Sequence, residues 1–443
     1  MSATGPLPSA HPGARRAEGP PVSAVLTPGR DPASPLGRRL IDDAFLDDPY
    51  PTYEALREAG PIHWSEEFFG GAWLLTRHDD VESMLRDARF SAQRTGGWVM
   101  NSGDGARAEL QGFQRLFARA MLFRDAPDHQ RLRRVLHAGF RPDVLQRLVP
   151  DVEALVDQLL DGIDADCGFD FMQRVARPLP ARVIARMMGI ECDDEARFIT
   201  WSDDLAAFIG APMPTLQQAR RAQHSLLDMG RYFQSRLTRR AFSADDLVGR
   251  LAHAASDGSI EEGAELLAQC AMLLFAGHET TRNLLGNGLY HLLSRPGLWS
   301  DLQREPGRLT GAVRELLRFD SPVQYTGRRV AADLVLHGQP LRRGELVIGL
   351  IGAANRDPRR YDDPDRLDIA RRAFAPLSFG SGPHVCIGAA LTLIEAEVAF
   401  RHLLRRWPGL QLTQAQQKWN RNPLYRGLSV LCVHDNADVR RTH

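Results

Sequence analysis

With 443 residues, 43% of them apolar and 25% charged, the chain carries enough hydrophobic material to bury a large core, which excludes disorder throughout. Lys plus Arg number 55 and Asp plus Glu 55, so the general basic excess that drives binding to nucleic acid or to membrane surfaces is absent, and a small-molecule enzyme fits better. The five cysteines, Cys167, Cys192, Cys270, Cys386 and Cys432, are odd in number, scattered and without a CxxC pair. They point away from a disulfide framework or structural zinc and toward a reducing, cytoplasmic compartment.

Residues 1–37 are rich in Pro, Gly, Ala and Ser and lack the apolar region of a signal peptide; they read as a disordered leader to a single domain over 38–443. Pro51 to Gly60 predicts a short helix, and Ala72 to Arg77 a strand. From Phe90 to Arg124 the pattern breaks around Gly96, Gly97 and Trp98, too long for an ordinary connector. Helical periodicity then dominates: Asp128 to Ala138, Pro142 to Leu160, Pro178 to Met188, Asp193 to Phe208, Leu216 to Arg239, and Ile260 to Leu293. The last opens on a capping-box pattern, Ser259-Ile260-Glu261-Glu262, and ends before Pro296-Gly297. Arg308 to Phe319 is a further helix, Arg328 to Ile351 alternates like strands, and Gly388 to Arg406 is again helical. The fold class is mainly α with a small β-sheet region. No stretch approaches the ~18 apolar residues of a membrane span.

The segment Phe379-Gly380-Ser381-Gly382-Pro383-His384-Val385-Cys386-Ile387-Gly388 sets one cysteine in a glycine-rich turn just before a helix. Glycines allow positive φ and close approach of the backbone to a flat ligand, and the unpaired N–H groups of a helix start favour charge on sulfur. A thiolate is what an electron-donating axial iron ligand must be. Taken alone, Cys386 could equally be a small buried residue in a tight turn. The whole pattern, FGxGxHxCxG, is similar to the heme-binding signature of the cytochrome P-450 superfamily, and the resemblance runs from about Pro49 to Val433.

That resemblance implies the cytochrome P-450 fold, with iron protoporphyrin IX (heme b) between a long central helix and the loop of Cys386, and with Ala276, Phe379 and Gly388 against the cofactor. It also implies an enzyme that activates O2 with two external electrons to hydroxylate or epoxidise a mainly apolar small molecule. Within Ala276-Gly277-His278-Glu279-Thr280-Thr281 the small pair resembles the family's room beside the iron, with Thr280 and Glu279 as the proton-delivering pair. A glycine there could also serve close helix packing. Glu315 and Arg318, with Arg366 in Pro364-Asp365-Arg366-Leu367, resemble the family's structural triad, Leu367 standing where an aromatic is usual. His129, Arg133, Arg328 and His384 take the places of propionate partners. By position, Trp98, Met100, Phe208, Ile209, Met272, Phe275, Gln324 and Tyr325 are the substrate-pocket candidates.

About 57 residues follow Cys386, too few for a flavin or iron–sulfur domain. The expected donors are therefore a separate ferredoxin or flavodoxin and its NAD(P)H-dependent reductase, docking where Arg131, Arg134 and Arg141 offer positive charge. Relatives with an AGHETT-type helix suggest a polyketide- or terpenoid-like substrate. A peroxygenase using H2O2 and a non-catalytic heme-binding scaffold are the alternatives.

Overall fold

In a computed structural model, residues 40–94, 109–190, 194–372, 375–415 and 417–436 are described. Trp98, Met100 and Cys192 lie outside them. Helices α1 (Asp43–Asp47) and α2 (Tyr50–Ala59) lead into strands β1 (Ile62–Ser65) and β2 (Ala72–Leu75), then α3 (His78–Arg86), β3 (Phe90–Ser91) and α4 (Gln111–Phe117). Next come α5 (Asp128–His137), α6 (Pro142–Leu160), β4 (Phe169–Asp170), α7 (Pro178–Met187), α8 (Glu195–Ile209), α9 (Leu216–Thr238) and α10 (Leu247–Ser256). Helix α11 (Ala264–Leu293) is followed by α12 (Leu298–Arg304), α13 (Leu309–Phe319), β5 (Tyr325–Val330), β6 (Leu334–Leu336), β7 (Gln339–Leu341) and β8 (Leu346–Leu350). The chain closes with α14 (Ile351–Ala354), α15 (Ala389–Arg406), β9 (Leu410–Leu412), β10 (Lys418–Trp419), β11 (Leu428–Val430) and β12 (Cys432–Asp435).

The main sheet runs β1-β2-β8-β5-β3, with β2 parallel to β8 and the remaining pairs antiparallel. It joins strands from both ends of the chain, and a satellite core of Trp73, Leu75, Val81, Met84 and Val347 packs on it. The large core lies among the helices. At its centre is α11, which at 30 residues is about 45 Å long and is buried on nearly every face.

This helix does not start where its capping-box pattern predicts. Gly263 sits at φ 78, a left-handed conformation that breaks the helix ahead of Ala264. Glu265 then reaches back, its carboxylate accepting from the Glu261 N–H at 2.7 Å and pairing with Arg131 at 2.8 Å. Helices α1, α3, α4, α10, α12 and α14 went unpredicted, and α4 corrects the expectation of an irregular stretch from Phe90 to Arg124. A start signal existed for α10, since Asp246 caps it by accepting from the Gly249 N–H at 2.6 Å.

Candidate functional site

The loop after residue 376 is shaped by two glycines. Gly380 (φ 73) and Gly382 (φ 70) take left-handed conformations that disfavour any side chain, and a Cβ on Gly382 would stand 3.0 Å from the Leu85 carbonyl. The loop returns on itself through the Cys386 N–H, which donates to the Phe379 carbonyl at 2.8 Å. Gly388 then opens α15, and its backbone N–H points at the Cys386 sulfur.

Helix α13 fixes this loop from behind. The Arg318 guanidinium makes two bonds of 2.8 Å to Glu315 and donates to the carbonyls of Asn355 (2.9 Å) and Pro364 (2.7 Å). The Asn355 side chain in turn accepts from the Leu377 N–H at 2.8 Å and donates to Ser378 at 2.9 Å. Glu315 and Arg318 are thus connected to the cysteine loop by a continuous hydrogen-bonded chain. The expected third member is corrected: Arg366 is exposed and offers only its backbone carbonyl, whereas Arg371 donates to Glu315 at 3.1 Å. Leu367 is buried where an aromatic was expected.

Cys386 is accessible although protein surrounds it, which is the condition of a side chain facing an internal cavity. That cavity is bounded by Cys386 and Phe379 of the loop, by Phe275, Ala276, Glu279 and Thr280 of α11, and by β5 and β8. Ala276 is exposed in the middle of an otherwise buried helix, so the inner face of α11 opens at this one turn. Gly277 does not: a Cβ there would lie 2.9 Å from Ile184 of α7, so its smallness serves helix packing and leaves the room to Ala276.

Glu279 is 2% exposed. Its Oε1 accepts from Arg282 and, at 3.3 Å, from Asn283, while Oε2 is buried without a hydrogen-bond partner. Burial pushes its carboxyl above the usual range, with Arg282 opposing. Arg282 also pairs with the half-exposed Asp203 at 3.0 Å, so a line of charged groups runs from the cavity wall to solvent.

Around His384, two residues before Cys386, cations collect. The rings of His129 and His384 lie tilted to each other with centroids 3.9 Å apart, and burial, joined by the charges of Arg328, His129, Arg94 and Arg133, holds His384 down to about 3. Arg328 is 5% exposed, and among the described residues it bonds only Thr326 and the Gly327 carbonyl, with no carboxylate in contact. Burial raises the Cys386 thiol, while the Gly388 N–H and Arg133 act the other way. A bound metal would hold the sulfur as a thiolate.

Of the pocket candidates, Ile209, Phe275 and Tyr325 line the cavity. Phe208 instead packs edge-on to Phe113, and Met272 is buried away from the lining. Gln324 points the other way too: its Nε2 donates to the Ser321 carbonyl at 2.7 Å and its side chain fills the space over Gly352. Arg94 and Tyr425 line the cavity and were not anticipated. Nor is the basic surface as expected, since Arg131 is committed to Glu265 and Asp128 and Arg141 to Asp143, leaving Arg134 exposed.

Among the described residues, no three His, Cys, Asp or Glu side chains gather as a metal cage. A metal on Cys386 would need its other donors from a macrocycle. Among the described residues, a cavity wall bearing one sulfur, a gap beside Ala276 and nearby cations without carboxylate partners fit a heme with two propionates.

The comparisons agree with that chemistry. Residues 100–431 match the cytochrome P450 family model. The chain belongs to the cytochrome P450 family, the heme-thiolate monooxygenases. It is 35% identical to the polyketide biosynthesis cytochrome P450 PksS of Bacillus subtilis, over 88% of this chain and 96% of that one. With the cytochrome P450 monooxygenase PikC of Streptomyces venezuelae it shares 36% identity, over 92% and 95%. The solved structure of P450BioI with a hexadec-9Z-enoic acid ligated acyl carrier protein superposes with a TM-score of 0.82 at 30% identity, covering 89% of this chain and 100% of that one. Membership implies heme, O2-dependent catalysis and redox partners. No helix among the described residues is long and apolar enough to cross a membrane.

Proposed function

We propose that Cys386 would hold the iron of heme b and that the enzyme hydroxylates or epoxidises a mainly apolar small molecule of the polyketide or related secondary-metabolite kind. The observation that carries this reading is the Cys386 sulfur facing the same cavity as Ala276, Glu279 and Thr280. When bound, the heme supplies O2 activation and oxygen transfer with two electrons. The chain supplies the rest. His129, Arg133, Arg328 and His384 would hold the propionates, and Phe379 and Gly388 shape the sulfur's turn. Thr280 orients a water by its hydroxyl. Glu279, buried and protonatable, passes protons inward from the Arg282 and Asp203 side.

The wall of Ile209, Phe275, Leu346, Ile348 and Leu424 selects apolar surface, while Tyr325, Tyr425 and Thr326 offer hydroxyls. PksS is named for polyketide biosynthesis, and the 6-deoxyerythronolide B hydroxylase of Saccharopolyspora erythraea is 32% identical to this chain, which favours that substrate class. Electrons come from NAD(P)H through a reductase and a ferredoxin or flavodoxin in the cytoplasm. The test is a screen of macrolactones and acyl chains for a low- to high-spin change in the heme spectrum, followed by product analysis with a surrogate ferredoxin and reductase. Conversion of a macrolactone or acyl chain to a product bearing one added oxygen supports the reading; spin-state changes confined to unrelated compounds would overturn the substrate class.

A further inference from the structure

Arg94 lines the same cavity as Cys386. It follows β3, and its backbone is anchored because Asp125 accepts from the Ala92 N–H at 2.8 Å and from the Ser91 hydroxyl. Its aliphatic stem lies over Gly327 of β5, where a Cβ would meet its Cδ at 3.5 Å. The guanidinium covers the Phe123 ring at 4.9 Å. Nη1 is buried with no hydrogen-bond partner among the described residues.

No Asp or Glu among the described residues bridges to Arg94. The nearby charge is Arg328, which repels it, and the acid of the cavity, Glu279, is already engaged by Arg282. A guanidinium held in a low-dielectric chamber without a counter-charge is strongly disfavoured unless the chamber receives an anion. Its planar fork matches a carboxylate by two parallel hydrogen bonds, which a lysine cannot reproduce. The cavity opens around it, with Tyr425 close enough to share the same guest.

We infer that Arg94 is a carboxylate-binding residue of the cavity, gripping either a heme propionate or the acid group of a carboxylated substrate. The inference rests on the heme-chamber reading above. The two stand apart experimentally, because the reduced carbon monoxide spectrum of the unaltered enzyme tests that reading alone.

The experiment uses the heme-loaded enzyme with Arg94→Gln and Arg94→Lys. Heme transfer to apomyoglobin gives the off-rate, and spin-state titration with dodecanoic acid and its methyl ester gives the acid preference. If the partner is a propionate, heme transfer accelerates at least tenfold in Arg94→Gln and partly recovers in Arg94→Lys, with the acid to ester ratio unchanged. If it is the substrate acid, the off-rate stays put while a preference of at least tenfold for the acid over the ester collapses toward one. An unchanged off-rate with an unchanged acid to ester ratio in both variants overturns the inference.

Discussion

Glu279 and Thr280 sit side by side on α11 with different surroundings, and their substitutions should separate accordingly. Thr280→Ala removes a hydroxyl from the cavity wall without touching the core, so heme content and fold persist while product formed per NAD(P)H consumed falls several-fold. Product yield equal to that of the unaltered enzyme would refute the role given to its hydroxyl. Glu279→Gln removes the titratable group and should slow turnover about 10² fold, in the range of a lost proton relay; steady-state kinetics with a surrogate reductase reads it. These residues were legible because a helix brings neighbours in sequence to one turn. Arg94 was not, since its significance depends on Phe123 and Gly327, distant in the chain and joined to it only by folding.

Elements fix what single residues cannot. Glu315 and Arg318 are one turn apart, but spacing alone left them a surface pair; their buried pairing was read from the family resemblance. Their third partner was not legible: Arg366 and Arg371 lie in one irregular loop, and the path of that loop directs Arg371 inward. Removing one member of a buried charge network costs about 3–5 kcal/mol. We therefore expect Arg371→Gln to lower thermal stability strongly and to loosen the heme, while Arg366→Gln stays within about 0.5 kcal/mol of the parent. Equal effects in calorimetry would reverse the assignment. The same logic applies where α11 crosses α7. Gly277→Ala would bring a methyl 2.9 Å from Ile184, an overpacking worth about 1–3 kcal/mol, and Ile184→Ala in the same chain should relieve it. Absence of that rescue would mean that Gly277 is small for another reason.

At the scale of the molecule, the helical class, the central helix and the cysteine loop were all legible, because periodicity and a local motif carry them. The short helices α1, α3, α4, α10, α12 and α14 were not. Each spans three turns or fewer, too little for periodicity to stand out, and is set by what it packs against. Burial also sets the acid limit of the fold. His278 is 1% exposed beside Arg177 and Arg282, and burial with their charges holds it down to about 3, below the ordinary histidine value. A depressed pKa stabilises the fold above pH ~6.5 and loses that contribution as pH falls toward 3, about 3 kcal/mol by pH 4. His278→Asn should flatten the fall in melting temperature between pH 6.5 and 4; an unaltered slope would place the acid sensitivity elsewhere. The central claim is that Cys386 carries the iron of a heme in the cavity beneath α11. It is met most directly by the absorption spectrum of the dithionite-reduced protein with carbon monoxide, recorded beside Cys386→Ser. A strongly red-shifted Soret band, lost on substitution, is the predicted result; a histidine-type spectrum, or a band that survives in Cys386→Ser, would contradict it.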